Sequence, residues 1–358
     1  MKTNIRLGYG HMDMGNSAYK EYVKGNLEIS EFDPDRPRTG SHYCIVDVLG
    51  GDRIPIDPDY DYSDIESDLI YLWLQGGAYA NSKPLKALKK LRLQWDGILL
   101  INWEETYWFD DAYVRSIFEK QLESAKYTDA VVCGFIDFDK RMEKAGVPLD
   151  RLRWRYLVTP YDVDWLRYNY SHTPKSEPKR IYSMIHGRIT TIDKTLLIMH
   201  ALRRFPLEFI LNRYRFVTED GFEKVNRRRL GVKSSDMDFI KIISPIEPWD
   251  AYIKYLASSY IFIDEYPAYS QSHATIDAAC AGTPTVSHIH NSSAVNCFPS
   301  LCVKNFNNIQ EWIDITKKLL DDESFYNQTR DYGLVAVSHY GFNSFLSQLY
   351  DLYDELKR

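Results

Sequence analysis

The chain has 358 residues, 44 % apolar and 14 % aromatic, enough for two domains with full cores and unlike a disordered, collagen-like or fibrous heptad chain. Its net charge of −6 is uneven, with residues 1–150 summing to −8 and residues 151–358 to +2. No apolar run approaches the ~18 residues of a membrane span; the best, Leu69–Leu74, is followed at once by Gln75-Gly76-Gly77.

The opening Met1–Arg6 lacks the apolar segment of a signal peptide. Five scattered cysteines (Cys44, Cys133, Cys280, Cys297, Cys302) form no CxxC pair, so reduced thiols and a cytoplasmic location are expected. Short apolar runs alternate with longer amphipathic stretches, the pattern of strand-helix units around buried parallel strands. In chain order the strands are expected at Ile5–Tyr9, Tyr43–Val48, Asp68–Leu74, Gly97–Asn102, Ala130–Cys133 and Arg153–Leu157. Helices are expected at Pro84–Leu93, Asp110–Ser124 and Asp137–Ala145. The proline-bearing stretch Thr159–Pro178 reads as a linker. A second series follows: strand Arg180–Ile185, helix Asp193–Arg204, strand Phe239–Ile243, helix Pro248–Ala257, strand Tyr260–Asp264, helix Ser272–Ala281 and strand Pro284–His288. Helices near Asn308–Leu320 and Phe342–Leu356 close the chain. The fold class is α/β, two doubly wound domains facing a central cleft at the carboxyl ends of their sheets. The expected division is 1–158, a linker 159–179, a second domain 180–341, and a helix 342–358 crossing back to the first.

Two stretches carry most of the chemistry. Tyr260–Ser287 runs from a buried strand through the acidic pair Asp264-Glu265 and a Pro-containing loop into a small-residue helix. The start of that helix, with its unpaired N–H groups and positive dipole end, suits a phosphate. The bland alternative is an ordinary capped helix. The second stretch, Tyr182–Arg188, leads from a strand into Gly187-Arg188, with Lys194 six residues on. An Arg fork and a Lys point charge at one sheet edge suit a diphosphate, or are simply surface cations.

Together these stretches resemble the donor-binding domain of GT-B glycosyltransferases, in particular the retaining group 1 family, over about Arg180–Leu356. Gly187-Arg188 with Lys194 is similar to its phosphate clamp, and Asp277–Pro284 (DAACAGTP) to its EAmAcGtP signature. The resemblance implies two Rossmann-like domains and transfer of a hexose from a nucleoside diphosphate sugar, UDP-linked, to a hydroxyl acceptor. It further implies retention of configuration and no metal, the UDP-sugar being a co-substrate rather than a cofactor. By the same resemblance Arg188 and Lys194 neutralise the leaving diphosphate, amides near Tyr269, Ser270, Gln271 and Ser272 hold it, and Asp277 accepts a ribose hydroxyl. The family's other glutamate, near the donor sugar, falls on Tyr269 here, so that either Glu265 takes over part of its role or the donor sugar is read differently. Gly15 with Asn16 and Ser17 matches the glycine-rich loop of the first domain. His11 and Asp13 could then reach the reacting sugar or stabilise a loop, Glu104 is a substitute where the family has a donor-contacting His that is missing here, and Asn291-Ser292 matches a loop beside the nucleotide.

Other readings remain open from residues alone. His288-Ile289-His290 lacks a third ligand at zinc spacing, and neither a GxSxG elbow nor a GxxxxGK[ST] loop occurs. Lys83, Lys86, Lys89, Lys90 and Arg92, with Arg151, Arg153, Arg155 and Arg227-Arg228-Arg229, could contact phosphates of nucleic acid, which keeps glucosylation of hydroxymethylated viral DNA as an alternative. The acidity of the first half favours a glycan, lipid-linked or small-molecule acceptor. The acidic run Asp57–Asp68, with six carboxylates, reads as a solvated loop. A non-catalytic nucleotide-sugar-binding or scaffold protein is a further alternative, supported by Tyr269, and a sugar epimerase of related fold is a third.

Overall fold

The computed structural model describes residues 5–12, 51–75, 82–104, 107–108, 111–147, 149–185, 192–213, 238–243, 246, 249–266 and 268–358. It divides into two compact units. Unit 1 is Met1–Asp162 with Ala268–Gln271 and His339–Arg358; unit 2 is Val163–Pro267 with Ser272–Ser338.

Unit 1 opens with β1 (Leu7–Met12), β2 (Asp52–Arg53), β3 (Leu69–Gln75), α1 (Ser82–Gln94), β4 (Ile98–Glu104), β5 (Tyr107–Trp108), α2 (Asp111–Ala125), β6 (Ala130–Cys133), α3 (Phe138–Lys144) and β7 (Trp154–Tyr156). Unit 2 follows with α4 (Val163–Tyr170), β8 (Lys179–Ile185), α5 (Ile192–Leu202), β9 (Leu207–Arg213), β10 (Ile240–Ile243), α6 (Trp249–Ser258) and β11 (Ile261–Ile263). The two-residue β12 (Ala268–Tyr269) belongs to unit 1. Unit 2 resumes with α7 (His273–Cys280), β13 (Thr285–His288), α8 (Ser292–Cys297), β14 (Cys302–Val303), α9 (Ile309–Asp321) and α10 (Glu323–Ala336), and α11 (Phe342–Leu356) completes unit 1.

Among the described residues, unit 1 holds a six-stranded sheet ordered β2-β1-β3-β4-β6-β7 and unit 2 a six-stranded sheet ordered β10-β9-β8-β11-β13-β14. Every neighbouring pair in both is parallel. These are two doubly wound, Rossmann-like sheets, as the alternation of apolar runs and amphipathic stretches leads one to expect. The strand order reverses between β1 and β3 in the first and between β8 and β11 in the second, the places where such folds open a crevice beyond the strand carboxyl ends.

Both sheets bury a matching polar pair. Asn102 donates to the Tyr71 hydroxyl at 2.6 Å across β4 and β3, and Asn212 donates to the Tyr182 hydroxyl at 2.6 Å across β9 and β8. Each pair bonds polar groups that would otherwise be costly to bury. The core of unit 1 is aromatic: the fully buried Trp103 meets Phe118 edge-on, with ring centroids 6.1 Å apart.

Several elements differ from the sequence expectation. The stretch Thr159–Pro178 contains α4, whose Val163, Leu166 and Tyr170 are buried at helical spacing. The expected strand Tyr43–Val48 lies outside the described residues. The acidic run keeps its carboxylates exposed, with Asp57 half-exposed, as expected of a solvated stretch, while its buried Tyr62 and its backbone pack onto the basic helix α1. Tyr62 is fully buried, its hydroxyl donates to Pro55 O at 2.9 Å, and its amide donates to Gln94 Oε1 at 3.1 Å. Lys90 donates to Pro58 O at 3.1 Å and Lys83 stands 3.5 Å from Asp57. Backbone amides two residues on, at Asp59 and Ser63, hold the Asp57 and Asp61 carboxyls below the usual range. Alternating charge is similarly absorbed at β7, where Arg155 Nε donates to Glu355 of α11 at 3.1 Å and Arg153 lies 3.8 Å from the same carboxylate. Several of the cations weighed above for nucleic acid are therefore paired within unit 1, though Lys83 and Arg153 stay exposed, as do Lys86 and Lys89. Arg227-Arg228-Arg229 lie outside the described residues.

Candidate functional site

The best-built constellation lies in unit 2 at the strand-order reversal between β8 and β11. β11 is apolar and fully buried, so it runs straight into the sheet and delivers Asp264 and Glu265 to its carboxyl end. Successive side chains at a strand end point to opposite sides, and these two acids part accordingly. Asp264, 1 % exposed, receives the hydroxyls of Ser272 at 2.6 Å and Thr275 at 2.8 Å on Oδ2, with the Asn291 amide 3.1 Å from the same oxygen. Its carbonyl accepts from Ser287 Oγ at 2.7 Å. Glu265, 3 % exposed, turns to α5 and accepts the backbone N–H of Thr195 at 2.7 Å.

Ser272 is also the N-cap of α7, accepting the Thr275 amide. The helix that follows is wholly buried from Ala274 to Cys280, which its small residues permit by letting helix and sheet approach closely. It ends at Gly282, whose φ of +64° calls for glycine. Asp277, 4 % exposed, lies within this helix. Asn291 caps α8 by accepting the Ala294 amide, and Ser292 is the first residue of that helix rather than part of a loop. The side chains of Ser272 and Asn291 are thus spent on bracing the end of β11.

His288 closes the same network from β13. Its Nδ1 accepts the His290 amide at 3.2 Å, which leaves the proton on Nε2 to be donated to Tyr266 O at 2.7 Å. Burial pushes its pKa from 6.5 down to about 4, with the Lys194 charge contributing in the same direction, so the ring is neutral at pH 7. With both ring nitrogens engaged, His288 acts as a brace for the loop after Glu265. Lys194, in the first turn of α5, carries its ammonium 3.9 Å over the Phe306 ring, and Phe306 meets His288 edge-on at 5.1 Å.

The loop between β11 and α7 is divided. Ala268 and Tyr269 pair antiparallel with Trp108 and Tyr107 of β5. The Tyr269 ring joins the buried cluster of unit 1, 6.5 Å from Phe135 and with the Arg141 guanidinium 5.4 Å from its centroid. Gln271 grips the Thr159 backbone at both ends, Oε1 accepting its N–H at 3.0 Å and Nε2 donating to its O at 3.2 Å. Ser270 between them is half-buried. The sequence offered no sign of these roles, because each depends on a partner more than a hundred positions away.

Of the other residues singled out, His11 is the last but one residue of β1 and Glu104 the last of β4, both at the carboxyl edge of the unit 1 sheet. Asp13, Gly15, Asn16, Gly187 and Arg188 lie outside the described residues. Sequence reasoning passed over Thr195, Thr275 and Ser287. Thr275 sits three residues after a Ser N-cap, the one local sign that could have flagged it.

No protein-family model and no curated protein matches the sequence. Solved structures do match in fold. Sucrose-phosphate synthase from Thermosynechococcus elongatus is 12 % identical, with a TM-score of 0.61 over 99 % of each chain. Anabaena HepE in complex with UDP is 12 % identical, with a TM-score of 0.59 over 98 % of this chain and all of that one. A UDP-forming α,α-trehalose-phosphate synthase from Burkholderia xenovorans is 9 % identical, with a TM-score of 0.61 over 81 % of this chain and 74 % of that one. At these identities the likeness establishes the architecture, the two Rossmann-like domains of the GT-B fold.

Proposed function

We propose that the chain is a glycosyltransferase that moves a hexose from a nucleoside diphosphate sugar, UDP-linked, to a hydroxyl acceptor. The observation that carries this reading is the unit 2 reversal point, where β11, the N-terminus of α7 and the Lys194-bearing turn of α5 converge in a fold shared with proteins named for UDP. Lys194 and Arg188 neutralise the charge that grows on the leaving diphosphate, electrostatic stabilisation aimed at the transition state, so the reaction needs no divalent metal. The amides at the start of α7 add hydrogen bonds to the same group, and Asp277 accepts a ribose hydroxyl. The acceptor attacks on the face the diphosphate leaves, retaining configuration, with the departing phosphate taking the hydroxyl proton.

Calorimetric titration with UDP tests the donor site. The wild-type chain is expected to bind, and Lys194→Ala to weaken binding on the order of tenfold, about 1.4 kcal/mol; unchanged affinity removes Lys194 from the site. Activity that survives a chelator supports the metal-free reading, and NMR of the product reports the anomeric configuration.

One observation favours a second reading, a non-catalytic nucleotide-sugar-binding protein of the same fold. Tyr269, at the position of a family glutamate, brings no carboxylate, and its ring lies in the buried cluster of unit 1. UDP binding without turnover across a panel of donors and acceptors would establish that reading.

A further inference from the structure

The first turn of α5 is tied to both strands that flank the reversal point. Thr195 is 1 % exposed; its amide donates to Glu265 Oε2 at 2.7 Å, and its hydroxyl lies 3.4 Å from Ser183 Oγ. Ser183 on β8 donates in turn to Ile263 O of β11 at 2.8 Å. A carboxylate set against helix amides in the first turn also complements the positive end of the helix dipole. Lys194 immediately precedes Thr195, so whatever fixes the Thr195 amide fixes the backbone from which Lys194 extends. Asp264, one residue earlier on the same strand end, does the equivalent work for α7 through Ser272 and Thr275.

We propose that Glu265 is a positioning residue: it anchors the first turn of α5 and so aims Lys194 at the diphosphate of the donor, rather than itself touching the sugar. The inference rests on the nucleotide-sugar reading for the role of Lys194. It replaces the expectation that Glu265 stands in for a sugar-contacting glutamate, since its Oε2 is already committed to a backbone amide deep in the fold.

The test uses the full chain with Glu265→Gln, Glu265→Ala, Lys194→Ala and the Glu265→Ala/Lys194→Ala double variant. UDP affinity is read by calorimetry and backbone exchange over residues 192–196 by hydrogen–deuterium exchange. Glu265→Gln keeps an acceptor oxygen for the Thr195 amide and is expected to hold UDP affinity within about twofold, a small free-energy change. Glu265→Ala is expected to weaken UDP roughly tenfold and to speed exchange in the first turn. The double variant is expected to bind no more weakly than Lys194→Ala alone, because two residues acting through one contact do not lose affinity additively. Wild-type affinity in Glu265→Ala, or losses that add in the double variant, overturn the proposal. So does a Glu265→Gln variant that binds UDP normally but loses turnover, since that is the mark of a group that touches the reacting sugar. Should the wild-type chain not bind UDP, the nucleotide-sugar reading fails on its own. Exchange in Glu265→Ala then still decides the anchor, accelerated if Glu265 holds the turn and unchanged if it does not.

Discussion

Asp264→Ala is expected to lower the stability of unit 2 by about 3 kcal/mol or more, since hydrogen bonds to a charged group are worth roughly 1.5–3 kcal/mol each and three buried donors lose the acceptor they share. The carboxylate is 1 % exposed and receives two hydroxyls and an amide on a single oxygen. Without it, Ser272, Thr275 and Asn291 lose a shared buried acceptor, and the caps of α7 and α8 loosen together. Thermal unfolding should move down on the order of 10 °C if the loss is near 3 kcal/mol or more. Asp264→Asn retains one oxygen to face the three donors and should lose less. A shift of only a degree or two in the Ala variant would mean that the network does not hold these helices.

The second large effect is on pH dependence. His288 is neutral in the folded chain because burial depresses its pKa from 6.5 to about 4, whereas in the unfolded chain it titrates near 6.5. Above pH 6.5 neither state takes up the proton and the contribution is fully present. As pH falls from 6.5 towards 4, the unfolded chain binds a proton that the folded chain refuses, and stability is lost. At pH 5 the loss from this one group is about 2 kcal/mol. His288→Gln, whose amide can still donate to Tyr266 O, should unfold with a shallower pH dependence than the wild type between pH 7 and 5. Denaturant unfolding at the two pH values measures the difference. Equal slopes in the two proteins would contradict the buried neutral imidazole. Asp264, His290 and Lys194 all act on this ring, and Asp264, which favours its charged form, acts against the other two.

Much of the architecture could be read directly. Ala130–Cys133 and Phe342–Leu356 have the boundaries expected of them, because an unbroken apolar run and a sustained helical period are local signals. β9 was not legible. Its Glu208 and Asn212 look wrong for a buried strand until Arg180 and Tyr182 on the neighbouring strand are seen to satisfy them. α10 was hidden by Gly333, whose missing side chain makes room for the Phe298 ring: a Cβ there would stand 2.4 Å from it. At the site, the acidic pair at the end of β11 was visible, but the partition of its two carboxylates between α5 and α7 was not. That depends on which side of the strand each faces and on partners 70 residues before Glu265 and 8 after Asp264. Tyr269 aligned by motif with a donor-site glutamate, yet pairing with β5 decides where it goes. A two-residue strand with a partner so distant leaves no pattern to read.

Unit 1 is assembled from three separate lengths of chain, and α11 is one of them. Its Phe345 is fully buried, with the ring 5.6 Å from Tyr71 on β3, and His339 just before the helix stacks on Tyr156 at the end of β7. On the ribosome, then, the residues up to Asp162 must wait for those after Ser338, while unit 2 already has all its residues once Ser338 has emerged. A fragment cut at Asp162 would carry a bare apolar strip where α11 belongs, a liability for aggregation. A self-sufficient version of unit 1 would have to be a re-spliced chain, with residues 268–271 and 339–358 joined back on.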